Sequence, residues 1–153
     1  MISKVEERLQ ALGVVLPQVP APVAAYVPAK RVGDIIYSSG QTAWENGILR
    51  YPGRVGGTVT LNEAVQSARI CAINCISALR SVADLDRIDI LKVTGFVNAD
   101  ADFGDHPAVI NGASELIIAA FGERGRHARC AVGTASLPSS ASVELEILAV
   151  SVN

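Results

Sequence analysis

The sequence predicts an α/β (α+β) fold: a mixed sheet with two main helices packed on one face and an extra N-terminal helix. Three observations carry this. Two capping boxes stand in front of apolar stripes at helical spacing. One strand between Ile88 and Ala99 lacks helical spacing and is apolar enough to be largely buried. Two alternating strands, Ala128 to Ser136 and Ser142 to Val152, close the chain.

In order, Ser3 with Glu6 makes the first capping box, and Val5, Leu9 and Leu12 follow at helical spacing until Gly13. Pro17, Pro20, Pro22 and Pro28 keep the next stretch extended or irregular. Ala25 to Arg31 and Asp34 to Ser39 read as strands around a Val32-Gly33 turn, and Ile48 to Tyr51 as a short further strand. Thr60-Leu61-Asn62-Glu63 is the second capping box, followed by the broad stripe Ala64, Val65, Ala68, Cys71, Ala72, Cys75, Ile76, Leu79 and Val82. Asp105 and Pro107 open a third helix that runs through Phe121, with Gly122 as its stop.

Length and composition bound the rest. With 153 residues the expectation is one domain over 1–153. Half of the residues are apolar, and the mean hydropathy of +0.34 is high for a monomer, so part of the surface is expected to be covered by other subunits. A net charge of −2 gives no long-range attraction to nucleic acid or anionic membranes. No apolar run is long enough for a membrane span, and the first residues do not resemble a signal peptide. Three cysteines, with Cys71 and Cys75 four apart on an apolar helix face, suggest core thiols, no metal site and a reducing cytoplasm.

The charges inside the closing strands demand a reason, because burying an unpaired charge is costly. Arg129 shares a strand face with Ala131, Gly133 and Ala135, which leaves room for a ligand carboxylate or phosphate on its planar fork. A structural salt bridge to an acidic residue explains Arg129 equally well. If the two strands form a hairpin turning between Ser139 and Ser140, Arg129 pairs near Val150 and Glu144 near Ala135, about 20 Å apart at strand rise. On that arithmetic the two meet only across a subunit boundary. His106 and His127 read as surface or capping residues, and Arg124, Arg126, His127 and Arg129 as a solvated basic cluster, with RNA contact disfavoured. Asp102-Phe103-Gly104 lacks the context of a kinase motif, and Ser38-Ser39-Gly40 that of a hydrolase nucleophile.

Taken together, several segments resemble the RidA/YjgF family of imine and enamine deaminases, once labelled endoribonuclease L-PSP. They are Tyr26 in Ala25-Tyr26-Val27, Tyr37-Ser38-Ser39-Gly40-Gln41, Asn111, Ala128-Arg129, Leu137-Pro138 and Val143-Glu144-Leu145-Glu146, spread over nearly the whole chain. The resemblance implies a chorismate-mutase-like fold, a homotrimer and small-carboxylate sites in the clefts between subunits. It implies Arg129 as the carboxylate clamp and Glu144 as the acid that positions a water. Tyr26, Ser39, Gly40 and Asn111 would line the pocket, with no cofactor. The implied reaction hydrolyses 2-imino or 2-enamino acids to 2-keto acids and ammonia. The family's cysteine two residues after the arginine is Ala131 here, which suggests a divergent subgroup. A non-catalytic carboxylate-binding trimer is the alternative, and RNA cleavage ranks third.

Overall fold

The computed structural model describes residues 1–19, 21 and 24–152. Helix α1 (Lys4–Ala11) starts where expected: the Ser3 hydroxyl accepts from the Glu6 amide while the Glu6 carboxylate accepts from the Ser3 amide. The Asp86 carboxylate takes the next two free amides, those of Lys4 and Val5, at 2.9 and 3.1 Å, and so ties α1 to the body of the protein. Val5 and Leu9 are buried.

Strands β1 (Ala29–Val32) and β2 (Ile35–Ser38) form the first hairpin. Two expectations shift here. The strand predicted from Ala25 begins only at Ala29, because Pro28 has no amide to give a ladder, and the turn falls on Gly33 and Asp34. Strand β3 (Gln41–Thr42) continues β2 beyond a break at Ser39 and Gly40, and both pair with the same partner, the last strand. The short strand expected near Ile48 is β5 (Ile48–Leu49), paired with β4 (Trp44–Glu45) in a separate hairpin.

Helix α2 (Leu61–Arg80) begins with its complete capping box at Thr60 and Glu63. Strand β6 (Ile88–Asn98) follows, then α3 (His106–Phe121), β7 (Ala128–Thr134) and β8 (Val143–Ser151). Pro107 lies in the first turn of α3 and Gly122 caps its end, as read from the sequence, but Asp105 makes no side-chain cap bond.

The closing hairpin is not there. The sheet runs β1-β2-β8-β6-β7, so β6 lies between the two strands expected to pair; it is parallel to β7 and antiparallel to β8. The loop after β7 is a link between separated strands, and Arg129 opposes Val93 instead of Val150. An antiparallel pair needs only a short turn, whereas the parallel β6–β7 pair needs a crossover, which α3 supplies.

The apolar core lies between the sheet and the helices. Val93, Val97, Val143, Leu145, Ile147 and Ala149 face α2 and α3, and all are buried. The opposite face carries Val32, Ile35, Tyr37 and Val132, each 37–64% exposed, in register with half-buried Leu148 and Val150. Among the described residues, no helix is long and apolar enough to cross a membrane.

Helices α2 and α3 approach closely at Gly112, where a Cβ would lie 2.2 Å from the backbone oxygen of Val65. Backbone cannot rotate away as a side chain can. Gly112→Ala is therefore expected to cost about 1–3 kcal/mol by overpacking, read as a lower midpoint in denaturant unfolding; an unchanged midpoint would mean that the helices do not cross this tightly.

Candidate functional site

Arg129 projects from β7 on the helix-covered side, in line with Ala131 and Gly133, because their parallel partners Val93, Gly95 and Val97 face the helices. Above it, α3 presents Pro107, Asn111 and Ser114 on one stripe, since residues four and three apart stack along a helix. The guanidinium Nη1 donates to Asn111 Oδ1 at 2.8 Å and to Ser114 Oγ at 3.2 Å, and Nη2 donates to the Pro107 carbonyl at 3.4 Å. Two residues singled out in the sequence, Arg129 and Asn111, are thus in direct contact.

A guanidinium has five N–H donors. Nη1 has committed both of its hydrogens and Nη2 one, so among the described residues the Nε–H and one Nη2–H have no acceptor; Nε and Nη2 share one edge of the guanidinium. That edge has the fork geometry that matches a carboxylate. Among the described residues, Arg129 has no carboxylate within 4.0 Å, so the structural salt bridge is not what holds it.

The rest of the basic cluster is satisfied internally. Arg124 donates to the Asp86 carbonyl and lies 3.9 Å from Asp89, while Arg126 pairs with Glu123 at 3.1 Å. His127 is half-buried and caps the short turn that ends at Gly125, with Nδ1 2.6 Å from the Gly125 carbonyl and Nε2 2.9 Å from Ser114 Oγ. Burial above all, together with the Arg129 charge, pushes its pKa below the ordinary histidine value against the opposing pull of the Gly125 carbonyl. Ser114 is a residue that the sequence did not single out. It sits next to an imidazole, as a nucleophile would, but it is only 8% exposed and already accepts from Arg129, so no substrate carbonyl can reach it. His106 likewise lies inward, edge-on to Phe103 at 5.3 Å and against Gly133, where a Cβ would meet Nε2 at 2.7 Å.

Glu144 lies on the other side of the sheet. It pairs in register with Thr42 and Phe96, both on the face away from the helices. A Cβ on Gly40 would lie 2.2 Å from Glu144 Oε1, so only a glycine lets the carboxyl group rest there. The break between β2 and β3 makes this approach, and the Ser38 hydroxyl accepts the Ile147 amide at 2.8 Å across it. Ser39 holds the same loop: its amide donates to the Pro28 carbonyl and its hydroxyl to the Val27 carbonyl, one residue from Tyr26, which is exposed. Partial burial, with the neighbouring Glu146 charge, raises the Glu144 pKa above the usual carboxylate range.

The predicted site residues therefore form two half-sites. Arg129 with Asn111 is one; Glu144 with Gly40 is the other, beside the Tyr26 and Ser39 loop. Arg129 and Glu144 stand two strands over and three residues along, about 14 Å between Cα positions at sheet spacings, and on opposite faces. The expected hairpin pairing is absent, yet one chain still does not join the two residues, because the sheet stands between them.

Cys71 and Cys75 are core thiols, as expected. Each donates to a β8 carbonyl, that of Val143 or Leu145, and burial pushes both thiol pKa values up, that of Cys75 to about 12. A cavity of about 490 Å³ lies apart from both half-sites, between the segment after α1, the β4-β5 hairpin and α2. Among the described residues, no cluster of His, Cys, Asp and Glu could hold a metal ion.

The family model described as "YjgF/chorismate mutase-like, putative endoribonuclease" matches residues 6–150. The chain belongs to the YjgF family. Its mixed sheet under two main helices is the YjgF fold, and the similarity to other proteins extends through both half-sites. The chain is 40% identical over 149 residues to protein TCP17 of Trypanosoma cruzi, covering 95% of this chain and 93% of that protein. It is 31% identical over 134 residues to the 2-iminobutanoate/2-iminopropanoate deaminase of Dermatophagoides farinae, covering 88% and 91%. The crystal structure of Atu1372 from Agrobacterium tumefaciens, a protein of unknown function, superposes with a TM-score of 0.91 at 40% identity, covering 98% of this chain and 93% of that one.

The raised pKa of Glu144 fixes the sign of a stability effect. A carboxyl group whose folded pKa exceeds its unfolded value lowers stability above the folded pKa and has no effect below the unfolded one. Glu144→Gln is thus expected to raise the melting temperature at pH 7–8, with the difference shrinking as the pH falls towards 4. A difference that is constant with pH would show that Glu144 ionises normally.

Proposed function

We propose that the protein acts as one domain in a cytoplasmic homotrimer and hydrolyses 2-imino and 2-enamino acids to 2-keto acids and ammonia. The sites lie in clefts where Arg129 and Asn111 of one subunit meet Glu144 and Gly40 of the next. The observation that carries this reading is the free edge of Arg129: a guanidinium fixed by neutral acceptors, with Nε–H and one Nη2–H uncommitted and no acidic partner among the described residues. The similarity to a deaminase of 2-iminobutanoate and 2-iminopropanoate supports the reaction class. The apolar sheet face supports assembly.

The chemistry asks little of the protein. The substrate carboxylate docks on the Nε and Nη2 edge, which places C2 of the imine in the cleft. Glu144 accepts a proton from a water as its oxygen adds to C2 and returns it to the imine nitrogen. The resulting 2-amino-2-hydroxy acid passes its hydroxyl proton to the nitrogen as ammonia leaves and the keto group forms. An enamine first takes a proton at C3 and gives one up from nitrogen, which makes the imine. Tyr26 and Ser39 line the cleft beside Gly40. A raised Glu144 pKa suits a base that must take up and return one proton per turnover.

Ala131 favours a second reading, a trimer that binds small carboxylates without turnover, since it puts a methyl group where the family it resembles has a thiol. RNA cleavage fits less well with a net charge of −2 and with Arg124 and Arg126 committed to internal partners.

Generating 2-iminobutyrate or 2-iminopropionate enzymatically and following keto-acid release separates these readings. The wild type is expected to accelerate release. Arg129→Ala is expected to lower kcat/KM by about 100-fold, the worth of two charge-assisted hydrogen bonds. Carboxylate binding that depends on Arg129 without acceleration would favour the binding reading, and RNA cleavage that survives Arg129→Ala would reject both. The trimer is checked by light scattering, where a mass three times the 16.0 kDa of one chain is expected.

A further inference from the structure

We infer that His127 is a positioning residue for the carboxylate clamp, acting through the Ser114 hydroxyl on Arg129. This rests on the proposed reading of the free Arg129 edge as the place where the ligand carboxylate docks.

Hydrogen-bond direction couples the three side chains. Nδ1 of His127 faces a carbonyl, that of Gly125 at 2.6 Å, and a carbonyl only accepts, so Nδ1 carries a proton. In the neutral ring Nε2 is then bare and accepts the Ser114 hydroxyl proton across 2.9 Å. With its proton aimed at the ring, the Ser114 oxygen turns its lone pairs to Arg129 Nη1 at 3.2 Å. The chain runs one way: Nη1–H to Ser114, Ser114 O–H to His127, His127 Nδ1–H to Gly125. It commits the second Nη1 hydrogen and so fixes which guanidinium edge is left for a ligand. Were the hydroxyl free to rotate, its proton would point at the guanidinium in some orientations and drive it off Asn111.

The charges around the ring favour the neutral form. Arg129, on β7, is the cation whose field acts on it; α3 presents the uncharged Ser114, and on the preceding turn Arg126 is paired with Glu123. Protonation of Nε2 would turn that acceptor into a donor and break the one-way chain, so a carboxylate on Arg129 is expected to bind more weakly as the pH falls through the His127 titration.

The test uses pyruvate, a non-reacting keto acid, as the probe on the full-length protein, with NMR of the His127 ring and binding measured in parallel. In the wild type the ring is expected as the Nδ1–H tautomer, with a pKa that rises in Arg129→Ala without ligand and with pyruvate binding that weakens as the ring protonates. His127→Phe, which removes the acceptor, is expected to weaken pyruvate binding and raise KM about tenfold, with kcat within about twofold. His127→Gln, whose side-chain oxygen can replace Nε2, should recover most of this.

An Nε2–H tautomer, or pyruvate binding that strengthens as the pH falls through the His127 titration, would overturn the inference even if the Phe variant did not fold. Equal pyruvate binding by folded His127→Phe would overturn it while leaving the clamp intact. Failure of wild type to bind pyruvate at all would instead remove the clamp reading, and the inference with it.

Discussion

The parallel pairing of β6 with β7 is the constraint from which the rest of the structure follows. Two parallel neighbours cannot be joined by a tight turn, so the chain must cross the sheet between them, and it does so as α3. The crossover lays α3 over the inner side of an edge strand. There the Pro107, Asn111 and Ser114 stripe meets the side chain of Arg129, which the pleat sends to the same side. A strand paired differently would have left that guanidinium in solvent or against β8. The same crossover brings Gly112 against α2, so the grip on Arg129 and this close helix approach belong to one element.

Strict alternation along β8 governs the other half-site. Val143, Leu145, Ile147 and Ala149 fill the core, and Glu144 and Glu146 have to emerge on the opposite side. No rotamer of either residue brings Arg129 and Glu144 together within a chain, because a whole sheet stands between them. The face on which Glu144 emerges is also the one that carries exposed Val32, Ile35, Tyr37 and Val132. Apolar surface that lowers its free energy by being covered and a half-buried carboxylate that completes a site are therefore neighbours. In the proposed trimer, assembly and site formation would be one event.

The helices were legible because their signals are local. Ser3 with Glu6 and Thr60 with Glu63 each satisfy two amides within four residues, so sequence alone suffices to place α1 and α2. The order of the last strands was not legible in that way. Ala128–Ser136 and Ser142–Val152 have the alternation and the linking length of a hairpin, and nothing within them reports that β6 intervenes. A hint lay in β6 itself, whose run of apolar residues from Ile88 suits a central strand with a neighbour on each side. The residues proposed for the site were carried by resemblance to a family. Spacing pointed only to Arg129 and the two glutamates as charges in need of partners. Ser114 and His127 escaped because a serine within an apolar helix and a histidine before a strand are silent until α3 lies across β7.

The three acceptors around Arg129 also decide which cation can serve at that position. Asn111, Ser114 and the Pro107 carbonyl take three hydrogens between them, and a lysine ammonium has three in all. A lysine long enough to reach the same stripe would be saturated by its own protein and would meet an incoming anion with charge but no directed bond. The arrangement thus selects for the one side chain with donors to spare after it has been anchored.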